Sequence, residues 1–253
     1  MIQRICRFQT QSGGEHWGLL GKNAVEEIVP DPFGPYAPTG LVWPLKAVQL
    51  LAPCRPSKIV CVGVNYGDHA SEFGKSLPDE PLIFLKPPSA IIAPGEPIRL
   101  PSISKRVDHE GELAIVIGRE TCRVSRAAAR SHILGYTIMN DVSARDIQKK
   151  DGQWARAKGF DTFGPLGPWI AVGIDPDDLK IEVFLNGKRK QNARTSQMVY
   201  KADALVSFIS QAMTLFPGDV ISTGTPSGVS PMKRGDKVEV RIEKIGSLVN
   251  PVR

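Results

Sequence analysis

The stretch Asp108-His109-Glu110-Gly111-Glu112-Leu113-Ala114-Ile115-Val116-Ile117 carries the strongest structural signal in the sequence. Its second half is a run of five apolar residues, which has the length of a strand and includes three β-branched side chains. Two glutamates stand at the start of this run, with a single glycine between them. The stretch therefore predicts an apolar strand that carries acidic residues at its N-terminal end.

Other elements of similar length surround this strand. Asn186-Gly187, between two strand candidates, is a strong short-range signal for a β-hairpin. Because 24 glycines and 21 prolines divide the chain into short segments, the sequence predicts a mixed α+β, β-dominated fold with short helices on the outside. The strand candidates are Ile59–Val64, Leu82–Leu85, Ile133–Met139, Ile181–Leu185, Arg189–Thr195, Val220–Ser222 and Val238–Ile242, and the helix candidates are Ser125–His132, Ser143–Lys150 and Ala202–Met213.

The N-terminal fifth of the chain is patterned more weakly. Short strand candidates lie at Gln3–Phe8 and His16–Leu20, and a proline-rich stretch runs from Pro30 to Pro44. We therefore expect residues 1–54 to form a small N-terminal β domain or arm, and residues 55–253 to form the main domain.

The composition argues against several classes of protein. The cysteines form no CxxC pair, which indicates reduced thiols and not a zinc site or a disulfide framework. No apolar run approaches the ~20 residues that span a bilayer, and no signal-peptide pattern is present at the N-terminus, so we expect a cytoplasmic protein with no membrane partner. The net charge of +6 is spread along a chain with only 7% aromatic residues. That pattern favours small anionic ligands over nucleic acid.

Glu110 and Glu112 are two residues apart, so in a strand their side chains point to the same face. Two like charges ~4 Å apart repel by about 4 kcal/mol at an effective dielectric of ~20, and a partly buried pair therefore needs a proton or a cation. All-oxygen ligands suit Mg²⁺, Mn²⁺ or Ca²⁺ better than zinc. Taken alone, the spacing fits a solvated strand end equally well. Asp141, which follows the strand candidate Ile133–Met139, adds a third carboxylate at a strand end.

The residues after Asp141 predict a helix that begins at Ser143. Ser143 and Asp146 have the spacing of a capping box, with Asp in place of the usual Glu or Gln. Arg145 and Gln148 then lie three residues apart on one helix face. They either reach the cavity beside the carboxylates or form an ordinary solvated face.

The order of these motifs resembles the fumarylacetoacetate hydrolase family, and the resemblance runs from about Pro56 to Val252. The matching motifs are Lys58-Ile59-Val60-Cys61-Val62-Gly63-Val64-Asn65-Tyr66 with His69 and Glu72, Phe84-Leu85-Lys86-Pro87, Glu110-Gly111-Glu112-Leu113, Asp141-Val142-Ser143-Ala144-Arg145-Asp146-Ile147-Gln148, Lys158-Gly159-Phe160-Asp161, and Gly224-Thr225-Pro226-Ser227-Gly228-Val229. The nearest branch is that of the short acylpyruvate hydrolase and oxaloacetate decarboxylase-like enzymes.

The resemblance implies a distorted β-roll core, a homodimer and a divalent metal site. The metal, Mg²⁺ or Mn²⁺, would be held by Glu110, Glu112 and Asp141. The catalytic His-x-x-Glu dyad maps to His69 and Glu72, in a lid from Gly67 to about Pro81 that we expect to be poorly ordered without ligand. The branch often has Arg before Asn-Tyr, where this chain has Val64.

The other motif residues have predicted roles in binding a 2-oxo acid. Lys158 would face a developing oxyanion or a second substrate carboxylate, whereas Lys86 is left out of the catalytic set. Arg145, Gln148 and Thr225 would bind the substrate, because a guanidinium fork, an amide and a hydroxyl suit carboxylate and carbonyl oxygens.

Three functions follow from this set of residues. The first is cleavage of small 2-oxo (1,3-diketo) acids through a metal-bound pyruvate enolate, by acylpyruvate or fumarylpyruvate hydrolysis, by oxaloacetate decarboxylation, or by both. The second is isomerisation of 5-carboxymethyl-2-hydroxymuconate-type dicarboxylates. The third is a non-catalytic protein that keeps the fold, against which the complete set of carboxylates and the dyad argue.

Overall fold

The computed structural model of the protein describes residues 2–72 and 77–253, and strands dominate this part of the chain. Within these ranges no helix is long and apolar enough to cross a membrane. The strands are β1 (Gln3–Thr10), β2 (Glu15–Leu20), β3 (Ala24–Val29), β4 (Ala37–Pro44), β5 (Val48–Leu50), β6 (Ile59–Gly63), β7 (Leu82–Lys86), β8 (Ile91–Ile92), β9 (Val107–Asp108), β10 (Gly111–Ile117), β11 (Ile133–Asn140), β12 (Ser143–Ala144), β13 (Gly164–Val172), β14 (Lys180–Leu185), β15 (Lys188–Arg194), β16 (Val220–Ser222), β17 (Lys237–Ile242) and β18 (Gly246–Pro251). The α-helices are α1 (Gly67–Glu72), α2 (Arg126–Ala129), α3 (Arg145–Asp151), α4 (Ala155–Lys158) and α5 (Ala202–Ala212). Single turns of 3₁₀ helix lie at Leu45–Ala47, Pro88–Ala90, Arg130–His132 and Thr195–Gln197.

One large sheet runs through the whole molecule in the order β4-β3-β2-β1-β13-β11-β10-β16-β6-β7. Most neighbouring strands are antiparallel, but β6 runs parallel to β16. The N-terminal strands join the rest through β1, which pairs with β13 and places Ile5 opposite Ile170. The N-terminal segment is therefore tied to the main sheet by strand pairing, and a domain boundary between residues 54 and 55 stays a prediction.

Strand β10 is buried along its whole length. Leu113, Ile115 and Ile117 belong to the larger hydrophobic core, and Ala114 and Val116 belong to a second core on the other face. Because both faces of the strand are covered, its sequence is a continuous apolar run and not an alternating one.

A smaller sheet, in the order β15-β14-β17-β18, packs against the start of β10. Its β14–β15 hairpin turns at Asn186 and Gly187, both with positive φ, as predicted from the sequence. The contact with β10 requires glycine at position 111, since a Cβ atom there would lie 2.3 Å from Cγ2 of Val183. The glycine between the two glutamates therefore lets the small sheet lie directly on the strand that carries them.

The prediction of a helix beginning at Ser143 is wrong. Ser143 and Ala144 form the short strand β12, which pairs with β9, and helix α3 begins at Arg145. The Ser143 hydroxyl donates to the carbonyl oxygen of Asp141, at 2.8 Å, instead of capping the helix. Asp146 accepts hydrogen bonds from Ser104 Oγ and the Lys105 amide. The Ser143 side chain is thus used by its own turn and the Asp146 side chain by a distant segment, so neither caps the helix.

The predictions also missed two N-terminal strands, β3 and β4. Strand β4 lies within the proline-rich stretch, for which no strand was predicted, and it forms one edge of the main sheet. An edge strand tolerates proline, because one side of its backbone needs no partner.

Candidate active site

The three predicted acidic residues lie side by side in the structure. Strands β10 and β11 are antiparallel, with Gly111 opposite Asn140, so the start of one strand and the end of the other meet at the same edge. Glu110, Glu112 and Asp141 are all buried there, and each offers a carboxylate oxygen within 4.8 Å of the others.

The surroundings of Glu110 and Glu112 differ, and the pKa values of these two groups are shifted in opposite directions. Burial and the nearby charges of Asp141 and Glu110 raise the pKa of Glu112 well above its ordinary value. Burial alone would also raise the pKa of Glu110, but the cations Arg145 and Lys158 outweigh it and lower that pKa. Of these two groups, Glu112 is therefore the one whose protonated form is favoured by its surroundings.

This donor set fits a divalent metal ion. The three carboxyl groups offer hard oxygen ligands, which Mg²⁺ and Mn²⁺ prefer. Glu112 accepts hydrogen bonds from neutral groups, Ser222 Oγ at 2.5 Å and the Gly224 amide at 2.8 Å, while its second oxygen can face a cation. Burial is the largest cause of the raised pKa of Glu112, and a bound cation would oppose it by stabilising the charged form.

Two buried lysines face the same carboxylates. Lys158, at the end of α4, donates to Glu110 Oε2 at 2.7 Å and to Asp141 Oδ2 at 2.6 Å. Burial opposes the charge on Lys158, but Asp141 and Glu110 outweigh it and raise the lysine's pKa, so the ammonium form is retained. Lys86, from β7, forms an ion pair with the other oxygen of Asp141 at 2.6 Å. It also donates to the carbonyl oxygens of Val142 and Lys158.

Arg145 and Gln148 reach the cavity from the first turns of α3. Arg145 donates to Gln148 Oε1 at 3.0 Å, to Asp108 Oδ2 at 3.0 Å and to Glu110. The expectation that Arg145 and Gln148 share a helix face is therefore met. Asp108, which is fully buried and binds Arg145, was missed by the sequence analysis.

His69 and Glu72 lie on helix α1, and His69 lines the cavity together with the carboxylates. Nδ1 of His69 lies 3.2 Å from Glu72 Oε2, and Glu72 also accepts from the Gly228 amide. Burial is the largest effect on His69 and lowers its pKa, so its neutral form, which can accept a proton, prevails near pH 7. The predicted lid continues through residues 73–76, which lie outside the described residues, so its predicted disorder stays a prediction.

Thr225 lines the cavity, but its hydroxyl is already engaged. It donates to the carbonyl oxygen of Gly111 at 2.9 Å and accepts from Gln191 Nε2 at 2.7 Å. Because a hydroxyl has one hydrogen, it cannot also donate to a substrate without breaking the bond to Gly111. Since both bonds engage the hydroxyl, Thr225 would bind a carboxylate through its backbone N–H group.

The cavity is also lined by apolar residues that were not predicted to be part of the site. They are Val62, Gly63, Val64, Phe84 and Trp154. Val64 has a φ of 57°, an uncommon conformation for a β-branched residue, where the chain turns from β6 toward Asn65 and the helix that carries His69. One signal was available in the sequence: Trp154 stands four residues before Lys158, the spacing that places two side chains on one helix face.

The fold and this cluster of carboxylates, lysines and a His–Glu pair place the chain in a class of enzymes, and its buried Glu-Glu-Asp group could hold a metal ion. The chain belongs to the fumarylacetoacetate hydrolase family, since the family model for the fumarylacetoacetate (FAA) hydrolase C-terminal domain matches residues 58–253. A second model, the Rv2993c-like N-terminal domain, matches residues 3–53. The β-dominated fold expected from the resemblance is confirmed.

Relatives and solved structures cover nearly the whole chain. Protein Rv2993c of Mycobacterium tuberculosis is 56% identical over 241 residues, which are 93% of this chain and 91% of that protein. The mitochondrial oxaloacetate tautomerase FAHD2B of Bos taurus is 45% identical and covers 98% of this chain and 91% of its own length. The crystal structure of 5-carboxymethyl-2-hydroxymuconate delta-isomerase from Mycobacterium smegmatis is 49% identical, covers 98% of both chains and superimposes with a TM-score of 0.93.

Proposed function

We propose that this protein is a Mg²⁺- or Mn²⁺-dependent enzyme that cleaves a C–C bond in small 2-oxo (1,3-diketo) acids and forms the enolate of pyruvate. Acylpyruvate or fumarylpyruvate hydrolysis, oxaloacetate decarboxylation, or both would be its reactions. The observation that carries the proposal is that Glu110, Glu112 and Asp141 line one cavity together with Lys158 and His69, and that His69 is paired with Glu72.

The charges in the cavity support an anionic substrate. A divalent cation would bring two positive charges to a site where Glu112 gives up one proton, so the cavity would gain net positive charge. Lys158 and Arg145, now paired with Glu110, would then be available to an incoming carboxylate or enolate oxygen. When bound, the metal would supply Lewis-acid stabilisation for negative charge on the keto oxygen.

In the hydrolytic reaction, His69 would act as the general base. In the tautomer with hydrogen on Nδ1, Glu72 would accept that hydrogen, and Nε2 would take a proton from water. The water oxygen attacks the distal carbonyl, and the C–C bond breaks with its electron pair moving onto the 2-oxo group. Lys158 holds the developing oxyanion, and a proton delivered to carbon completes pyruvate.

Decarboxylation of oxaloacetate would use the same end of the cavity without an activated water. The bond to the distal carboxylate breaks, carbon dioxide leaves, and the electrons again form the pyruvate enolate. His69 therefore has less to do in this reaction than in hydrolysis.

A second candidate is isomerisation or tautomerisation of an unsaturated or enolisable 2-oxo dicarboxylate. It is supported by the relatives, which include an oxaloacetate tautomerase at 45% identity and a solved hydroxymuconate isomerase at 49% identity. In that reaction His69 would move a proton from one atom of the substrate to another, and no C–C bond would break.

A panel of acylpyruvates, oxaloacetate and muconate-type dicarboxylates, assayed with Mg²⁺ and with Mn²⁺ and analysed by mass, tests the proposal. Released pyruvate establishes cleavage, whereas a product of unchanged mass establishes isomerisation. His69→Ala should abolish most acylpyruvate hydrolysis and spare much of the oxaloacetate decarboxylation. Equal loss of both activities would contradict the different roles given to His69 in the two reactions.

The cytoplasmic location and the homodimer implied by the family resemblance are part of this proposal. Size-exclusion chromatography with light scattering tests the dimer, since a mass near 27.5 kDa would indicate a monomer.

A further inference from the structure

Trp154 stands one helical turn before Lys158, on the same side of α4. The amide of Lys158 donates to the carbonyl oxygen of Trp154 at 2.9 Å, the i to i+4 bond of an α-helix. Side chains with this spacing lie one above the other on the helix surface. Lys158 reaches the buried carboxylates, so Trp154 lines the same cavity one turn farther from them.

Phe84 connects the two side chains. The ammonium of Lys158 lies 5.0 Å from the centre of the Phe84 ring, and the Trp154 ring packs edge-on against the same ring at 5.1 Å. From the carboxylates outward, the cavity wall thus runs through Lys158, Phe84 and Trp154. Lys158 is buried, whereas both aromatic rings are partly exposed, which places the rings toward the opening of the cavity.

Gly63 determines where the Trp154 ring lies. A Cβ atom on Gly63 would lie 2.8 Å from Cζ3 and 3.0 Å from Cη2 of Trp154, so the ring occupies the space that a side chain at position 63 would fill. The ring is held between Phe84 and the end of β6. A substrate that extends from the carboxylates past Lys158 would meet it.

We propose that Trp154 is a specificity-determining residue that closes the distal end of the cavity and limits the substrate to a compact acyl group. This inference rests on the proposed function. The cavity has a volume of about 50 Å³, which on the scale of cavities that hold water accommodates only a few small groups. The preferred acyl substituents are of the size of acetyl, and aromatic acyl groups are excluded by the indole ring.

The substrate series that tests this inference is acetylpyruvate, butyrylpyruvate and benzoylpyruvate, each assayed with Mg²⁺. Trp154→Ala should raise the ratio of kcat/KM for benzoylpyruvate to kcat/KM for acetylpyruvate by about tenfold. This is the lower end of the discrimination that one methylene group causes in an apolar pocket. Trp154→Phe should give an intermediate ratio. Gly63→Ala should lower the same ratio by pushing the indole ring into the cavity. In the double variant the clash no longer exists, so the added methyl group should have little effect.

Trp17→Ala is the matched control, because Trp17 also packs edge-on against a phenylalanine, Phe33, at 5.6 Å, in the N-terminal part of the sheet. It should leave the ratio unchanged. If Trp154→Ala also leaves the ratio unchanged while acylpyruvates are turned over, the inference is wrong and the proposed function stands.

Binding provides a readout that does not depend on turnover. With Mg²⁺ present, calorimetry should show that Trp154→Ala strengthens phenylpyruvate binding relative to pyruvate by about tenfold. If the wild-type protein turns over none of the three acylpyruvates and does not decarboxylate oxaloacetate, the proposed function fails, and the binding ratio alone then decides the inference. An equal ratio in the wild-type protein and the variant overturns it.

Discussion

The ammonium group of Lys86 lies 2.6 Å from Oδ1 of Asp141, in a position with no access to solvent. The other oxygen of Asp141 receives the ammonium of Lys158 at the same distance. Asp141 is thus held between two lysines from different parts of the chain. Lys86 also binds the carbonyl oxygen of Lys158, so one buried amine fixes a candidate metal ligand and the end of the helix that carries a candidate catalytic residue.

Replacing Lys86 by methionine should destabilise the protein by about 3–5 kcal/mol, because it removes one partner from a buried ion pair. The loss of melting temperature should be smaller with saturating Mg²⁺, since a bound cation would replace part of the missing positive charge beside Asp141. Differential scanning calorimetry with and without Mg²⁺ measures both effects. The exposed Lys22→Met serves as the control. A loss that is the same in both conditions would argue against a cation at Asp141.

Mg²⁺ should raise the melting temperature of the wild-type protein. A ligand at 100 times its Kd stabilises the folded state by about 2.7 kcal/mol, which for a chain of this size corresponds to roughly 5–10 °C. Glu112→Gln should abolish most of the shift, because an amide is a poor ligand for the cation but can still accept the hydrogen bonds from Ser222 and Gly224. The exposed Glu120→Gln should retain the full shift. An undiminished shift in Glu112→Gln would place the cation elsewhere.

The activity should fall at acid pH because His69 must be neutral to accept a proton. Burial lowers the pKa of His69 below its ordinary value of 6.5, so the acid limb of kcat/KM for an acylpyruvate should have its midpoint below pH 6.5. Glu72 acts in the opposite direction and raises this pKa. Glu72→Gln should therefore move the limb to still lower pH and reduce the rate, because the imidazole loses its orienting carboxylate. If the acid limb of the kcat/KM profile has the same midpoint pH in this variant as in the wild-type protein, another group is the base.

The sequence was sufficient to predict the strand that carries the acidic pair, because strand β10 is buried on both faces and reads as an uninterrupted apolar run. Asp141 was noted as a third carboxylate at a strand end, and the family resemblance implied that it joins Glu110 and Glu112; in the structure, antiparallel pairing of β10 and β11 brings these ends together. The hairpin at Asn186 followed from the positive φ that its turn requires. In each case a local property of the chain determines the structure.

The missed features depend on contacts between distant segments. Lys86 was left out of the predicted site because nothing in its neighbourhood in sequence shows that its side chain meets a carbonyl oxygen 72 residues away. Ser143 has the form of a helix cap, but its pairing with Asp108 in a buried sheet overrides that preference. The role of the Thr225 hydroxyl could not be predicted, because Gln191, which engages it, comes from the small sheet.

Thr225→Val separates a structural role for the hydroxyl from a role in binding substrate. The change leaves a buried carbonyl of Gly111 and a donor of Gln191 each without one partner, so it should cost about 1–3 kcal/mol of stability. The KM should change by less than about twofold. If the hydroxyl bound the substrate, losing a hydrogen bond worth about 1.4 kcal/mol would raise the KM roughly tenfold.

Thr137→Val is the matched control, since the buried Thr137 hydroxyl has no hydrogen-bond partner among the described residues and its loss should be neutral or stabilising. Thermal unfolding and steady-state kinetics on the same variants measure the two effects. A large rise in KM with unchanged stability would restore the hydroxyl of Thr225 to the substrate-binding set.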